Sequence, residues 1–222
     1  MSPVRLRYQT LEFPDTDIHV RSLRDRQEFA DPLGEANALG ISSAQWSLFG
    51  VIWDSGRALA HEMVAFDIAG KRILEVGCGM AVASLLLNSR EADITATDYH
   101  PEAGNFLIEN VRLNQGSDIP FLRTDWNNLN DGLGQFDLII GADLLYEREH
   151  IELLSQFIHR HTKPDGEVIL IDPGRGNHAQ FSKKMCALGY SHLQHKIMPA
   201  SDMSSSFKGQ MLCYSRTSLT PD

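Results

Sequence analysis

The chain has 222 residues, of which 42% are hydrophobic and 22% charged. This composition is typical of a folded globular protein and excludes a disordered or fibrous chain, and the length favours one domain of ordinary size. The formal net charge of -9 argues against a broad, sequence-independent grip on nucleic acid, because such binding requires lysine and arginine to neutralise phosphates.

The cysteines and the chain start predict a protein of the reducing cytoplasm. Cys78, Cys186 and Cys213 are an odd number at wide spacing without a CxxC pair, so they predict neither a disulfide framework nor a structural zinc site. Residues 1–11 contain no apolar run typical of a secretory signal. No segment approaches the roughly 20 apolar residues of a membrane helix.

The N-terminal part of the chain predicts a β-hairpin. Residues 4–13 and 18–23 have the pattern of strands, and the turn-forming residues 14–17 join them. The charged stretch 24–35 then indicates a solvated connection. Residues 55–66 have apolar side chains at helical spacing and begin with a serine as candidate N-cap, so they predict a helix.

From residue 70 onward, short β-branched apolar runs alternate with amphipathic stretches, which predicts βαβ units and a parallel sheet covered by helices. The predicted strands are residues 72–76, 93–97, 119–124, 136–141 and 167–171. The predicted helices are residues 80–89, 101–114, 147–161 and 178–188. Two last strands, 192–198 and 210–216, are expected to be antiparallel neighbours, because the loop between them is too short for a crossover helix.

The most informative segment is a glycine turn within residues 73–81. A hydrophobic strand leads directly into Gly77, Cys78 and Gly79 and then into a helix, a turn that lets a ligand approach the backbone. It is not a dinucleotide fingerprint, because Val82 stands at the third glycine position, and no P-loop Gly-Lys-Ser/Thr sequence follows. A purely structural strand-to-helix turn is an equal alternative.

Polar residues also end the next two predicted strands. Asp98 lies 23 residues after Glu75, where a carboxylate can accept hydrogen bonds from both hydroxyls of a ribose. Asp125 and Trp126 follow the third strand and suit an adenine amino group and the face of its ring. Alternatively, Asp98 caps the following helix and Trp126 is an ordinary, partly buried aromatic.

Asp143 and Tyr146 follow the fourth strand. Ligands of open parallel sheets bind outside the carboxyl ends of the strands, so this acid and phenol are expected to face the reacting end of the ligand. The alternatives are a helix cap for Asp143 and a core position for Tyr146. After the fifth strand, the loop 172–176 presents Arg175 either to an acceptor carboxylate or as part of a surface turn.

With these residues the chain resembles the class I S-adenosylmethionine-dependent methyltransferases, and among them the seven-β-strand, methyltransferase-like family of protein lysine methyltransferases. The resemblance covers residues 46–216. Residues 75–79 match motif I, Asp98 the ribose acid, and Asp125 with Trp126 the adenine-side pair. Residues 143–146 match the DxxY motif, which is the most discriminating of these. Trp53 resembles the tryptophan that lies against the cofactor in that family.

The resemblance implies an α/β fold: a Rossmann-like, seven-stranded, mostly parallel sheet with helices on both faces, an antiparallel final strand and an N-terminal β-hairpin extension. It divides the chain into residues 1–45, the hairpin and linker, and residues 46–222, the methyltransferase domain. It implies S-adenosyl-L-methionine as cofactor, S-adenosyl-L-homocysteine as product and a protein lysine as acceptor. The implied cofactor-binding residues are Trp53, Glu75, Gly77, Cys78, Gly79, Asp98, Asp125, Trp126 and Ala142. Asp143 and Tyr146 are the implied catalytic residues, with orienting roles, and Arg175 is the candidate substrate-binding residue.

Two departures and several alternatives accompany this interpretation. Ala81 stands where the family usually has glycine, and the fourth strand lacks the Asn/Asp-Pro-Pro-Tyr/Phe sequence of enzymes that methylate adenine or glutamine. A small-molecule methyltransferase and a non-catalytic cofactor-binding protein remain alternatives, and an oxidoreductase is the weakest. The histidines lack the spacing of a metal site, and Cys78 is more consistent with lining the cofactor than with a nucleophile.

Overall fold

The computed structural model describes residues 4–216, so the outermost residues of the predicted division, 1–3 and 217–222, lie outside the described residues. The described chain forms nine strands and six α-helices, with a short 3-10 turn at Trp46–Leu48. In chain order these elements are β1 (Leu6–Phe13), β2 (Thr16–Leu23), α1 (Glu35–Ala38), α2 (Asp54–Val64), β3 (Arg72–Val76), α3 (Val82–Ser89), β4 (Asp93–Asp98), α4 (Ala103–Leu113), β5 (Phe121–Arg123), β6 (Phe136–Ala142), α5 (His150–His161), β7 (Thr162–Asp172), α6 (His178–Ala187), β8 (Tyr190–Lys196) and β9 (Gln210–Arg216).

The main sheet confirms the predicted fold class. Its seven strands have the order β5-β4-β3-β6-β7-β9-β8. The pairs β3–β4, β3–β6, β4–β5 and β6–β7 are parallel, whereas β9 is antiparallel to both β7 and β8. The central strands are buried on both faces, which explains their continuous apolar runs. The carboxyl ends of β3, β4 and β6 therefore meet at one edge of the sheet.

Helix α3 begins two residues later than the sequence predicts. Ala81 has the left-handed backbone conformation, with φ 55°, and forms the N-cap, so the helix begins at Val82. Gly77 and Gly79 also have positive φ, 62° and 53°. Three left-handed residues within five positions make the turn between β3 and α3 unusually tight, and two of them are glycines because only glycine adopts this conformation without cost.

Helix α5 begins at His150 instead of residue 147, because residues 147–149 form turns, in which the N–H groups of His150 and Ile151 donate to the carbonyls three residues earlier. Strand β7 begins at Thr162, earlier than predicted, and its pairing with β6 contains a register shift between Phe136 and Leu138. The remaining predicted elements of the main sheet differ only at their ends.

The N-terminal hairpin confirms the two predicted strands, with the turn reduced to two residues between them. Its inward-facing side chains, among them Ile18 and Val20, join the same hydrophobic core as the main sheet. Asn110 of α4 and Asn114, the C-cap of this helix, donate to and accept from the outer backbone of β2 at Arg21 and His19, so their amides take the place of a neighbouring strand.

The stretch 24–35 contains no buried residue, as predicted for a solvated connection, and only the half-buried Phe29 packs edge-on against Phe49 and His100. One local expectation is wrong. Ser55 is not the N-cap of α2: the cap is Trp53, and the Ser55 hydroxyl is buried inside the first turn. None of the helices within residues 4–216 combines the length and the apolar character required to cross a membrane.

Candidate active site

One cavity of about 360 Å³ opens at the sheet edge where β3, β4 and β6 end. This volume lies in the range of small-molecule binding sites. The structure places every site residue predicted from the sequence in the lining of this cavity, although these residues come from positions far apart in the chain. They are Trp53, Glu75, Gly77, Cys78, Gly79, Asp98, Asp125, Trp126, Ala142, Asp143, Tyr146 and Arg175.

Asp98 ties the glycine turn to the end of β4. Its Oδ2 accepts a hydrogen bond from the backbone N–H of Gly79 at 2.8 Å, and its Oδ1 accepts one from the backbone N–H of His100 at 2.8 Å. Burial raises the pKa of this carboxyl, and the N–H donors oppose the shift. Asp98 thus holds the loop before α4, and each oxygen retains a lone pair for a ligand hydroxyl.

Glu75 lies at the floor of the cavity and is 4% exposed. Its Oε2 accepts hydrogen bonds from the backbone N–H of Ser84, at 2.9 Å, and from the Ser84 hydroxyl. Burial nevertheless raises the pKa of Glu75 to about 7, and the nearby Asp98 carboxylate adds to the shift. Glu75 is therefore poised to change charge near neutral pH.

Asp125 and Trp126 lie on the side of the cavity next to β5. Asp125 Oδ1 accepts hydrogen bonds from the backbone N–H groups of Asn127 and Asn128, at 2.6 and 3.0 Å. This oxygen of the carboxylate therefore stabilises the loop that follows β5. The Trp126 ring meets His150 edge-on at a centroid distance of 4.9 Å. Arg160 donates to the Trp126 carbonyl, which fixes the loop on α5.

The part of the cavity that follows β6 carries Asp143 and Tyr146, and the Tyr146 ring meets His150 edge-on at a centroid distance of 4.6 Å, so Tyr146 and Trp126 share this neighbour. The Asp143 backbone N–H donates to Ile171 at 2.8 Å, and its carboxylate accepts two hydrogen bonds from Arg175, both at 2.8 Å. Asp143 does not cap a helix. Tyr146 is 41% exposed at the mouth of the cavity, and desolvation together with the Glu147 charge raises its pKa to about 12, so the phenol keeps its proton at neutral pH.

Several cavity residues were missed by the sequence interpretation. His100 stacks on Phe49 with 3.5 Å between ring centroids and an interplanar angle of 6°, and burial lowers its pKa to about 4. Its Nδ1 accepts from Glu102, and its Nε2 is buried without a hydrogen-bond partner. Gln45 also lines the cavity and donates to Glu147 at 3.1 Å. The only sequence signal for His100 is its place two residues after Asp98.

Cys78 is buried, and burial raises its thiol pKa well above the usual value, which opposes a nucleophilic thiolate. Within residues 4–216, no cluster of three or more histidine, cysteine, aspartate or glutamate side chains has an arrangement that could hold a metal ion.

The family model described as lysine methyltransferase matches residues 38–185, two thirds of the chain. The chain belongs to the lysine methyltransferase family. The electron transfer flavoprotein beta subunit lysine methyltransferase of Xenopus laevis is 29% identical over 170 residues, covering 75% of this chain and 65% of the relative. Protein N-lysine methyltransferase METTL21A of Danio rerio is 32% identical over 139 residues, covering 58% of this chain and 63% of the relative. This lysine methyltransferase family member thus spans slightly less than two thirds of the length of these relatives.

Solved structures share the fold of this lysine methyltransferase family member. The ribosomal protein L11 methylase of Lactobacillus delbrueckii subsp. bulgaricus superposes with a TM-score of 0.56 at 22% identity, over 72% of this chain and 77% of that protein. The magnesium protoporphyrin IX methyltransferase of Synechocystis, solved with bound SAM, gives a TM-score of 0.58 at 20% identity, over 73% and 78%.

The close packing of the glycine turn should be visible in the free energy of unfolding. Gly77 has a positive φ, and a Cβ at this position would lie only 2.5 Å from Leu144 Cδ2. We expect Gly77→Ala to lower the free energy of unfolding by about 2–4 kcal/mol, since left-handed alanine costs about 1–2 kcal/mol and overpacking a further 1–3. Gly70→Ala is the matched control, because Gly70 has φ 67°, close to that of Gly77, and open space around its Cβ position. Equal losses in urea unfolding would contradict the close approach to Leu144.

Proposed function

We propose that this protein transfers the methyl group of S-adenosylmethionine to the side-chain amine of a lysine in another protein and releases S-adenosylhomocysteine. One observation carries the proposal: the motif I turn with Asp98 and the Asp143–Tyr146 pair lie in a single cavity, in a chain of the lysine methyltransferase family. The relatives differ in the acceptor protein that their names specify, so the proposal extends to protein lysine as a class and to no named acceptor.

The cavity has features that suit this cofactor. A Cβ built on Gly79 meets no protein atom within 4 Å, so the backbone at this point is open to a ligand. Asp98 retains acceptor capacity for ribose hydroxyls, and Trp126 offers an aromatic surface beside it. The carboxylates of Glu75 and Asp98 make the cavity attractive to a ligand that carries a sulfonium and an amino group.

The residues of the cavity then perform alignment and desolvation. S-adenosylmethionine supplies a methyl group on a positively charged sulfur, so the displacement needs a correctly placed nucleophile and no further activation of the leaving group. Asp143 accepts hydrogen bonds from the acceptor nitrogen, and the neutral Tyr146 phenol lies at the cavity mouth as a second polar contact. The amine must be uncharged to attack, and its proton passes to water.

Two measurements test the proposal. Titration calorimetry with S-adenosylmethionine and S-adenosylhomocysteine, with NAD as control, measures the cofactor preference. A lysate incubated with the protein and a radiolabelled methyl donor is then examined for labelled proteins, and mass spectrometry locates the methylated residue. Labelled lysine, lost when the lysate amines are first acetylated, supports the proposal. Label confined to small molecules, or cofactor binding without any label in the lysate, would contradict it.

The cofactor affinity should depend on pH through Glu75. This carboxyl is neutral below a pKa of about 7 in the ligand-free protein, and a cationic ligand favours its ionised form. Binding at pH 6 must therefore remove a proton, which costs about 1.4 kcal/mol per pKa unit, so affinity should fall about tenfold between pH 8 and pH 6. Burial also raises the pKa of Asp98, whereas His100, lowered to about 4, does not titrate in this range.

Glu75→Gln separates this effect from titration of the ligand. Glutamine retains an oxygen to accept from Ser84 but carries no charge, so calorimetry should show a lower affinity and a pH dependence reduced to about twofold. A tenfold pH dependence of the cofactor affinity that persists in Glu75→Gln would assign this dependence to titration of the ligand.

The raised pKa of Glu75 also predicts that the ligand-free wild type loses stability as the pH rises from about 4.5 to about 7. In this range the folded state retains a proton that the unfolded chain releases.

A further inference from the structure

The Asp143 carboxylate already holds a cation. Arg175 donates from Nε to Oδ1 and from Nη2 to Oδ2, both at 2.8 Å, so the two planar groups meet in the bidentate geometry that gives the strongest arginine–carboxylate pairs. The Asp143 side chain is only 11% exposed, whereas that of Arg175 is 37% exposed. The acid that the proposed function assigns to the acceptor amine is thus occupied by an internal guanidinium.

The loop that carries Arg175 is anchored at both ends and unpacked around the arginine. Gly174 and Gly176 flank the arginine with φ 93° and 89°, and a Cβ on either glycine would meet no atom within 4 Å. The loop is fixed at both ends: Asp172 accepts from the N–H of Gly174 at 2.9 Å, and the Asn177 amide donates to the Leu145 carbonyl at 2.8 Å. The arginine therefore lies on a short, unpacked segment between two anchored points.

Asp143, in contrast, is held in place. Its backbone N–H is bonded to Ile171 in the neighbouring strand, and its left-handed φ of 56° is maintained by these surroundings. The guanidinium can therefore leave while the carboxylate stays. A second buried carboxylate, Asp172, ends β7 directly before this loop with its Oδ1 unbonded, and it favours retention of the released guanidinium near the cavity mouth.

We propose that Arg175 is an internal competitor of the acceptor: it occupies Asp143 in the ligand-free protein and is exchanged for the nitrogen of the incoming side chain. This inference rests on the proposed function and specifies its substrate class. A neutral or anionic molecule competes poorly with a guanidinium for a carboxylate, so the acceptor side chain enters as its ammonium and loses its proton to water before it attacks. A free alkylammonium lacks the planar fork of arginine, so the exchange favours an amine delivered by a protein segment whose other contacts add binding energy.

The exchange is measured with n-butylammonium as a lysine side-chain probe, by NMR titration with and without S-adenosylhomocysteine. We expect Arg175→Gln to bind the probe at least tenfold more tightly than the wild type, and the double variant Arg175→Gln/Asp143→Asn to lose this gain. In the wild type, saturating probe should shift the Nε–H signal of Arg175 as the pair opens. Arg148→Gln is the matched control, since it removes the same charge from an exposed residue outside the cavity lining.

Arg175→Lys keeps the positive charge but lacks the planar, bidentate guanidinium, so it should bind the probe with intermediate affinity. This graded result would show that the tighter binding of Arg175→Gln does not come from misfolding of that variant. Equal or weaker probe binding by Arg175→Gln would overturn the inference and make Arg175 a support for Asp143. Calorimetry with S-adenosylhomocysteine on the same samples separates the two proposals. If neither the wild type nor any variant binds S-adenosylhomocysteine, the methyltransferase function is contradicted. The probe titration without cofactor still decides the role of Arg175 in that case.

Discussion

Asp98→Ala is expected to weaken binding of S-adenosylmethionine at least 100-fold. The carboxylate accepts from Gly79 and His100 and so joins the glycine turn to the loop after β4. Hydrogen bonds to a charged group each contribute about 1.5–3 kcal/mol, and the variant loses the acceptor for the ribose together with the two bonds that shape the turn. Titration calorimetry measures the dissociation constant directly.

The matched control for this change is Asp93→Ala, which removes the same charge from the exposed, opposite end of β4. It should leave the dissociation constant within about twofold of the wild type, because charges at an exposed site are screened by water and salt. Asp98→Asn keeps one oxygen acceptor and should fall between the two. An affinity of Asp98→Ala within tenfold of the wild type would mean that the ribose lies elsewhere in the cavity.

Asp143→Ala is expected to lower the turnover number at least 100-fold while changing cofactor affinity by no more than about threefold. The carboxylate lies on the side of the cavity next to β7, away from the Gly79–Asp98 contact, so its removal affects the nucleophile and not the ribose. Positioning of a reacting group accounts for factors of this size. Single-turnover measurements with saturating cofactor isolate the methyl-transfer step from acceptor binding.

Asp143→Asn and Tyr146→Phe complete this comparison. Asparagine at position 143 keeps the shape of the side chain and one acceptor oxygen. Tyr146→Phe removes only a hydroxyl, which stays protonated near neutral pH because the phenol pKa is raised to about 12. Both should retain more activity than Asp143→Ala. A parallel loss of cofactor binding and turnover in Asp143→Ala would instead assign Asp143 to the cofactor and would remove it from the acceptor site.

The candidate site was predictable wherever a functional residue ends a strand. Asp98, Asp125 and Asp143 each follow an apolar run, and the carboxyl ends of parallel strands converge at one sheet edge, so their common cavity follows from local patterns and the topology rule. Residues that line the cavity from irregular segments had no such signal. Phe49 and Gln45 belong to a stretch without periodicity, and their approach depends on how that stretch packs.

The order of the elements, the parallel sheet with its one reversed strand and the acids at the strand ends all follow from local sequence patterns, because periodicity and turn chemistry are properties of neighbouring residues. Two other features arise from packing alone: Arg175 lies on Asp143, 32 residues away, and Glu75 is buried deeply enough to raise its pKa to about 7. Both depend on packing between distant segments: the first on the adjacency of β6 and β7, the second on exclusion of water from the floor of the cavity.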